Sequence, residues 1–279
     1  MERIEDTREL QKKAIDIRRD VLIMLEKAGS GHTGGSLSIV EILVYLYYCR
    51  MNIDPKRPKN RDRDKFVLSK GHGCPALYAV LADRGFFPKQ ELATLRQIGS
   101  RLQGHPQFGL PGLEISSGSL GQGLSVAMGI ALGDRMDGID AKVYCLMGDG
   151  ETNEGQVWEA AMTAAHYKLD NLCGIVDYNK LQIDGLCCEV KDMVEYRNKW
   201  EHFGWYTVEI DGHDFGQLQK AFEEVSQVKG KPQLVIAHTV KGKGVSFIEN
   251  KVAWHGIAPK PEELEKALAE LNEAEKALS

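Results

Sequence analysis

The run Val143-Tyr144-Cys145-Leu146-Met147 passes directly into Gly148-Asp149-Gly150-Glu151, then Asn153-Glu154-Gly155 and a helical pattern over 155–168. Five apolar residues, a glycine turn and a helix read as a buried strand, its C-terminal turn and a crossover helix. A second apolar run, Leu172-Cys173-Gly174-Ile175-Val176, closes a βαβ unit. Neither run alternates with polar residues, as expected of parallel strands covered on both faces. Strands at 206–210 and 233–238 with a helix over 215–227, and a short strand Phe66-Val67-Leu68-Ser69, extend the alternation. The pattern predicts an α/β fold: a doubly wound parallel sheet with helices on both faces. Such sheets bind ligands at the carboxyl ends of their strands, which is where Asp149 falls.

Upstream, Leu10, Ala14, Ile17, Val21 and Leu25 recur near a 3.6-residue period and predict a helix over 7–28. The glycine-rich stretch 29–35 ends it, and Ser36 or Ser38 caps a further helix running to about Tyr48. Residues 54–64 are a charged, proline-rich loop, and Gly71-His72-Gly73 turns into a helix over 75–83. Another helix is expected over 89–96, a glycine-rich loop over 104–123, and an Ala- and Gly-rich helix over 124–136. Residues 1–260 form the main domain. Residues 261–279 form a charged C-terminal helix with Leu264, Leu268, Leu271 and Leu278 on one stripe, docked either on its own domain or on another chain.

The 279 residues are 43% hydrophobic and 27% charged, ordinary for a soluble globular protein. Their net charge of −5 argues against a general affinity for nucleic acid, which needs a basic surface. No apolar run approaches the roughly 18 residues of a membrane span. The alternating charges of residues 1–13 do not resemble a signal peptide, so a cytoplasmic location and no membrane contact are expected. The six cysteines include no Cys-x-x-Cys pair, which disfavours a zinc or thioredoxin-type site.

Strand, glycine turn and helix N-terminus is the architecture of a phosphate site. The stretch is nevertheless neither a Walker A loop nor Gly-x-Gly-x-x-Gly, because Asp149 stands between the glycines and no lysine follows. A carboxylate facing a diphosphate calls for a hard cation between them. Magnesium takes oxygen from a carboxylate, a side-chain amide and the ligand's own phosphates. The amide is in place: Asn179 ends the next strand, 30 residues after Asp149.

Here the chain resembles the thiamine diphosphate enzymes, and the transketolase family in particular. The resemblance is carried by Gly31-His32, the run Phe66 to Gly73, Gly104-His105-Pro106 and Ser117-Gly118-Ser119-Leu120-Gly121-Gln122-Gly123. It continues with Gly148-Asp149-Gly150-Glu151, Glu154-Gly155, Asn179-Lys180, Ile183-Asp184-Gly185 and Trp254-His255-Gly256. The resemblance implies the thiamine diphosphate-binding fold, as its diphosphate-binding domain. Asp149, Asn179 and the Leu181 carbonyl would ligate magnesium, or calcium or manganese in its place. Gly150 and His72 would contact the diphosphate, Glu151 would belong to the cofactor site, Ile183 would lie beside the thiazolium ring, and Gly118 and Leu120 along the aminopyrimidine. His32, His105 and His255 would meet the substrate, His255 also touching the cofactor. Glu154 would face its counterpart in a symmetry-related copy of the chain and take part in proton exchange. Lys241 and Lys243 read as part of a mobile lid. One departure is Ser119, where the family often has proline.

A full transketolase chain continues into a pyrimidine-binding domain that carries the carboxylate activating the cofactor. The resemblance therefore implies the N-terminal subunit of a split transketolase of the pentose phosphate type. It would work on sugar phosphates with a C-terminal subunit, forming an α2β2 heterotetramer or built around a homodimer of this chain. The alternatives are a relative serving a specialised ketose and the α subunit of a 2-oxoacid dehydrogenase or deoxyxylulose-phosphate synthase. These last share the metal motif but are not expected to combine it with His32, His72, His105 and His255. A non-catalytic cofactor-binding or regulatory protein is the reading from another class, and the intact acid, amide and histidine set opposes it.

Overall fold

The computed structural model describes residues 3–278. The apolar runs pair in one parallel sheet: β1 (Lys65–Leu68), β2 (Val143–Gly148), β3 (Leu172–Tyr178), β4 (Tyr206–Asp211) and β5 (Gln233–His238), in the order β1-β2-β3-β5-β4. The register Val143↔Leu172 through Gly148↔Asp177 brings the ends of β2 and β3 level, so Asp149 and Asn179 leave the sheet side by side.

Helices α6 (Gly155–His166) and α8 (Tyr196–His202) make the outward crossovers over one face, joined there by α5 (Gln122–Met136). The return from β4 to β5 reverses direction along the sheet. A right-handed crossover then puts α9 (Phe215–Gln227) on the opposite face. There it packs with α1 (Thr7–Ala28), α3 (Val40–Tyr45) and α4 (Cys74–Asp83). α1 begins at Asp6, whose carboxylate accepts from Arg8 N, and ends at Gly29 in the left-handed region. Its Ile17, Val21, Leu22 and Leu25 are fully buried, each worth about 1.5–3 kcal/mol. α10 (Pro261–Ala277) lies along α1. Ala267 and Leu271 are buried, Leu264 and Leu278 partly so, and Arg19 of α1 bonds Asn272 and Glu275 at 2.9 and 2.6 Å.

Local departures from the sequence reading have local causes. The single helix expected up to Tyr48 is three pieces: α2 (Thr33–Leu37), α3 and a wide π turn over Leu46–Arg50. Ser36 Oγ bonds the His32 carbonyl and Ser38 Oγ the Gly35 carbonyl and Asp177, and such local bonds compete with a continuous helix. Residues Lys89–Thr94 form a 3₁₀ helix. Helices α7 (Cys187–Lys191) and α8 are additions to the expected pattern. Among the described residues no helix is long and apolar enough to cross a membrane.

Candidate active site

At the C-terminal ends of β2 and β3 a cavity of about 620 Å³ opens to the surface. It is lined by His32, His72, His105, His255, Gly118, Leu120, Asp149, Gly150, Glu151, Glu154, Asn179, Leu181 and Ile183, so every candidate residue of the sequence reading borders it. Gln182, Lys70 and Lys241 complete the polar wall. A smaller cavity near Tyr178 and His238 holds none of them; there His238 Nε2 pairs with Glu209 at 2.8 Å.

Asp149 is buried, its carboxylate accepting Gly150 N at 2.8 Å and Lys180 N. Burial first, and then the charge of Asp177, push its carboxyl up to about 6. Asn179 Nδ2 donates to Asp177 at 2.9 Å, while its Oδ1 accepts Leu181 N at 3.1 Å. The donor set is thus a carboxylate, an amide oxygen and the Leu181 carbonyl, each with lone pairs to spare. That is the oxygen chemistry magnesium prefers, and it fits a hard cation.

Asp177 has no role in the sequence reading, yet it organises the floor. It is fully buried and accepts Lys70 Nζ at 2.5 Å, Ser38 Oγ at 2.7 Å, Thr239 Oγ1 and Asn179 Nδ2. Lys70 opposes the burial penalty and holds Asp177 ionised, with its pKa below the ordinary carboxylate value. A charge directly after the apolar run of β3 was the available signal.

Glu151 braces the loops. Its Oε1 accepts Ser69 Oγ and Gly121 N, its Oε2 accepts Gly148 N at 3.0 Å, and burial raises its pKa. This ties the ends of β1 and β2 to the start of α5. Glu154 instead is exposed at the rim.

The four imidazoles form one cluster, with centroids 5.3, 5.9 and 5.6 Å from His32 to His72, His105 and His255, and 5.2 Å from His72 to His255. Gly118, at φ 148°, lets His105 lie against the backbone: a Cβ there would stand 2.9 Å from the ring. Burial, then neighbouring cations and rings, lower all four pKa values, His32 to about 4 and His255 to about 3. At neutral pH the rings are uncharged, each with one N–H and one lone pair.

Lys241, read as part of a mobile lid, lies in the wall of the cavity. It is buried, its pKa lowered to about 8 by burial and then by Lys70, and its Nζ sits 2.8 Å from His255 Nδ1 and 3.4 Å from the Leu181 carbonyl. The protonated amine donates, which leaves the His255 proton on Nε2. Gly242 N fixes this segment to Gly34 O at 2.9 Å, while Lys243 is half-exposed. Leu120 and Ile183 are 37% and 65% exposed at the mouth.

Residues 10–275 match the family model of the transketolase thiamine diphosphate-binding domain. The chain is 46% identical over 264 residues to a 6-deoxy-6-sulfo-D-fructose transketolase subunit of Clostridium sp. (strain MSTE9), covering 94% of this chain and 96% of that one. It is 43% identical over 268 residues to an apulose-4-phosphate transketolase subunit of Phocaeicola vulgatus, covering 96% and 95%. Against the human transketolase it is 44% identical over 230 residues, 82% of this chain but 36% of that protein. The transketolase structure from Campylobacter jejuni superposes with a TM-score of 0.91 at 33% identity, over 96% of this chain and 43% of that one.

Proposed function

The chain belongs to the transketolase family, and from that premise we propose that it is the cofactor-holding subunit of a two-chain transketolase. It would move a two-carbon ketol unit from a ketose phosphate to an aldose phosphate. The observation that carries this reading is the cavity where four neutral imidazoles stand beside the Asp149–Asn179 oxygen pair. Relatives of its own length are named as transketolase subunits, which supports a partner chain. We place both subunits in the cytoplasm, paired as α2β2.

Thiamine diphosphate, when bound, would supply the electron sink for breaking and forming the carbon–carbon bond. Asp149, Asn179 and the Leu181 carbonyl would hold magnesium, and the Gly150 N–H and His72 would face the diphosphate. Lys70 and Lys241 would add positive charge on the same side. Ile183, Gly118 and Leu120 would offer the apolar and backbone surface against which the rings lie.

His255 would present its Nε2–H to a substrate oxygen, oriented by Lys241 on the other ring nitrogen. His32 and His105, uncharged and adjacent, would donate to or accept from sugar hydroxyls and pass protons without first losing one to solvent. Glu154, at the rim, would serve exchange with a second copy. A specialised ketose is the second reading for the donor, because subunits named for 6-deoxy-6-sulfo-D-fructose and apulose 4-phosphate are among the relatives.

The test is transfer from xylulose 5-phosphate to ribose 5-phosphate, with thiamine diphosphate and magnesium, by the chain alone and mixed with a candidate C-terminal subunit. Turnover is expected only from the mixture. Turnover by the chain alone overturns the divided site. Turnover by the mixture confined to the sulfo-sugar or to apulose 4-phosphate moves the donor to the second reading.

A further inference from the structure

Gln182 borders the cavity but has no part in the functional reading. It follows Leu181 in a small hairpin closed by the Leu181–Leu186 bridge, and its N–H donates to the Gly185 carbonyl at 2.8 Å. The hairpin lays the side chain across Gly150. A Cβ at Gly150 would stand 2.8 Å from Gln182 Cγ and 2.9 Å from Cδ. The amide thus lies against the backbone turn that follows β2, one residue beyond Asp149.

Its Nε2 is buried and has no hydrogen-bond partner among the described residues. The Cys187 thiol interacts with this amide, but sulfur is a weak acceptor and takes at most one of its two N–H groups. Buried amide donors in native proteins are paired, or they wait for an atom from outside the chain. The missing atom is an acceptor, and the surroundings say which kind. Lys70 and Lys241 border the same cavity, so an acceptor bearing negative charge is favoured over a neutral one.

We propose that Gln182 is a diphosphate-binding residue, its Nε2–H donating to a phosphoryl oxygen seated over Gly150. The inference rests on the proposed function and names a further contact of that site. A neutral amide donates there without adding a third cation beside imidazoles whose proton affinity Lys70 and Lys241 already lower.

The experiment is calorimetric titration of the chain, mixed with the C-terminal subunit, with thiamine diphosphate, and separately with inorganic pyrophosphate, both with magnesium. The variants are Gln182→Leu and Gln182→Glu, and the unliganded thermal midpoint is measured for each. Gln182→Leu is expected to weaken both ligands about ten- to hundredfold, the range of a hydrogen bond to a charged group. Its unliganded midpoint should hold or rise, since an unpaired donor has gone. Gln182→Glu should bind more weakly still, and the deficit should shrink with added salt.

Unchanged affinity in Gln182→Leu overturns the proposal. So does a loss of affinity matched by a fall in midpoint in both variants, which is the mark of packing alone. If the wild-type chain mixed with the C-terminal subunit binds neither ligand, the functional reading fails and the inference falls with it. If the wild type binds and the variants bind equally, the inference alone fails.

Discussion

At the scale of single residues, the site depends on one buried carboxylate that sequence reading passes over. Asp177 turns the Asn179 amide so that its oxygen faces the Leu181 N–H, and it neutralises Lys70. Asp177→Asn would leave the Lys70 ammonium buried without its counter-charge. Breaking a buried pair from one side costs about 3–5 kcal/mol, so urea unfolding of the variant should show a loss of that order. Magnesium-dependent cofactor binding should weaken as well. The double variant Asp177→Asn, Lys70→Met should recover part of the stability and none of the binding; no recovery would mean the two residues do not act as a pair. Asp149 and the four histidines were legible because each sits in a short glycine-flanked motif, and Asn179 because it ends the strand that follows. Asp177, Lys70 and Gln182 were not, since their meaning lies in who faces them across elements. Asp177 and Lys70 stand 107 positions apart.

Among the elements, segment 239–250 shows how the scaffold reaches the site. Arg18 of α1 bonds Glu41 of α3 at 2.8 Å and the Lys243 carbonyl at 2.8 Å. His213 Nδ1 meets Glu41 at 2.9 Å, and Val240 N donates to His213 Nε2 at 2.8 Å. Lys241 is thereby fixed from behind. Burial alone would raise the Glu41 pKa, but Arg18 and the His213 hydrogen bond outweigh it and hold the value down to about 2. A carboxylate with a depressed folded-state pKa stabilises the fold above its ordinary value of 4.5, and that contribution fades as pH falls toward 2. Glu41→Gln should therefore cost about 3–5 kcal/mol at pH 7 by leaving Arg18 unpaired, and clearly less at pH 3. An equal deficit at both values, measured by urea unfolding, would show that ionised Glu41 is not the source. The strands β2, β3 and β5 were legible because their runs are buried on both faces, and the edge strand β4 because its burial alternates. The broken helices at 33–50 were not, because side-chain bonds from Ser36 and Ser38 end them rather than any proline. Helix α8 escaped notice because Tyr196 and Trp200 are its only buried residues.

Taken as a whole molecule, the chain buries its apolar residues on both faces of the sheet but leaves some at the mouth of the polar cavity. Ile183 is 65% exposed, Val190 42% and Leu120 37%, all lining that cavity. Exposed apolar groups around a polar site are the arrangement expected of a surface that another chain covers, with the desolvated interior left to the chemistry. The hairpin and α7 carry two of these residues on few buried contacts of their own: none of the α7 residues is buried. Low local burial predicts fast amide exchange there in the isolated chain. On adding the C-terminal subunit, exchange over 118–122 and 182–191 should slow, while exchange at the outer ends of α1 and α10 should not change. Ile183→Asp should weaken association about tenfold or more, the cost typical of a central contact, without lowering the thermal midpoint of the isolated chain. Slowing confined to other surfaces would mean that the mouth faces solvent in the working enzyme, and that the partner completes the site by some other edge.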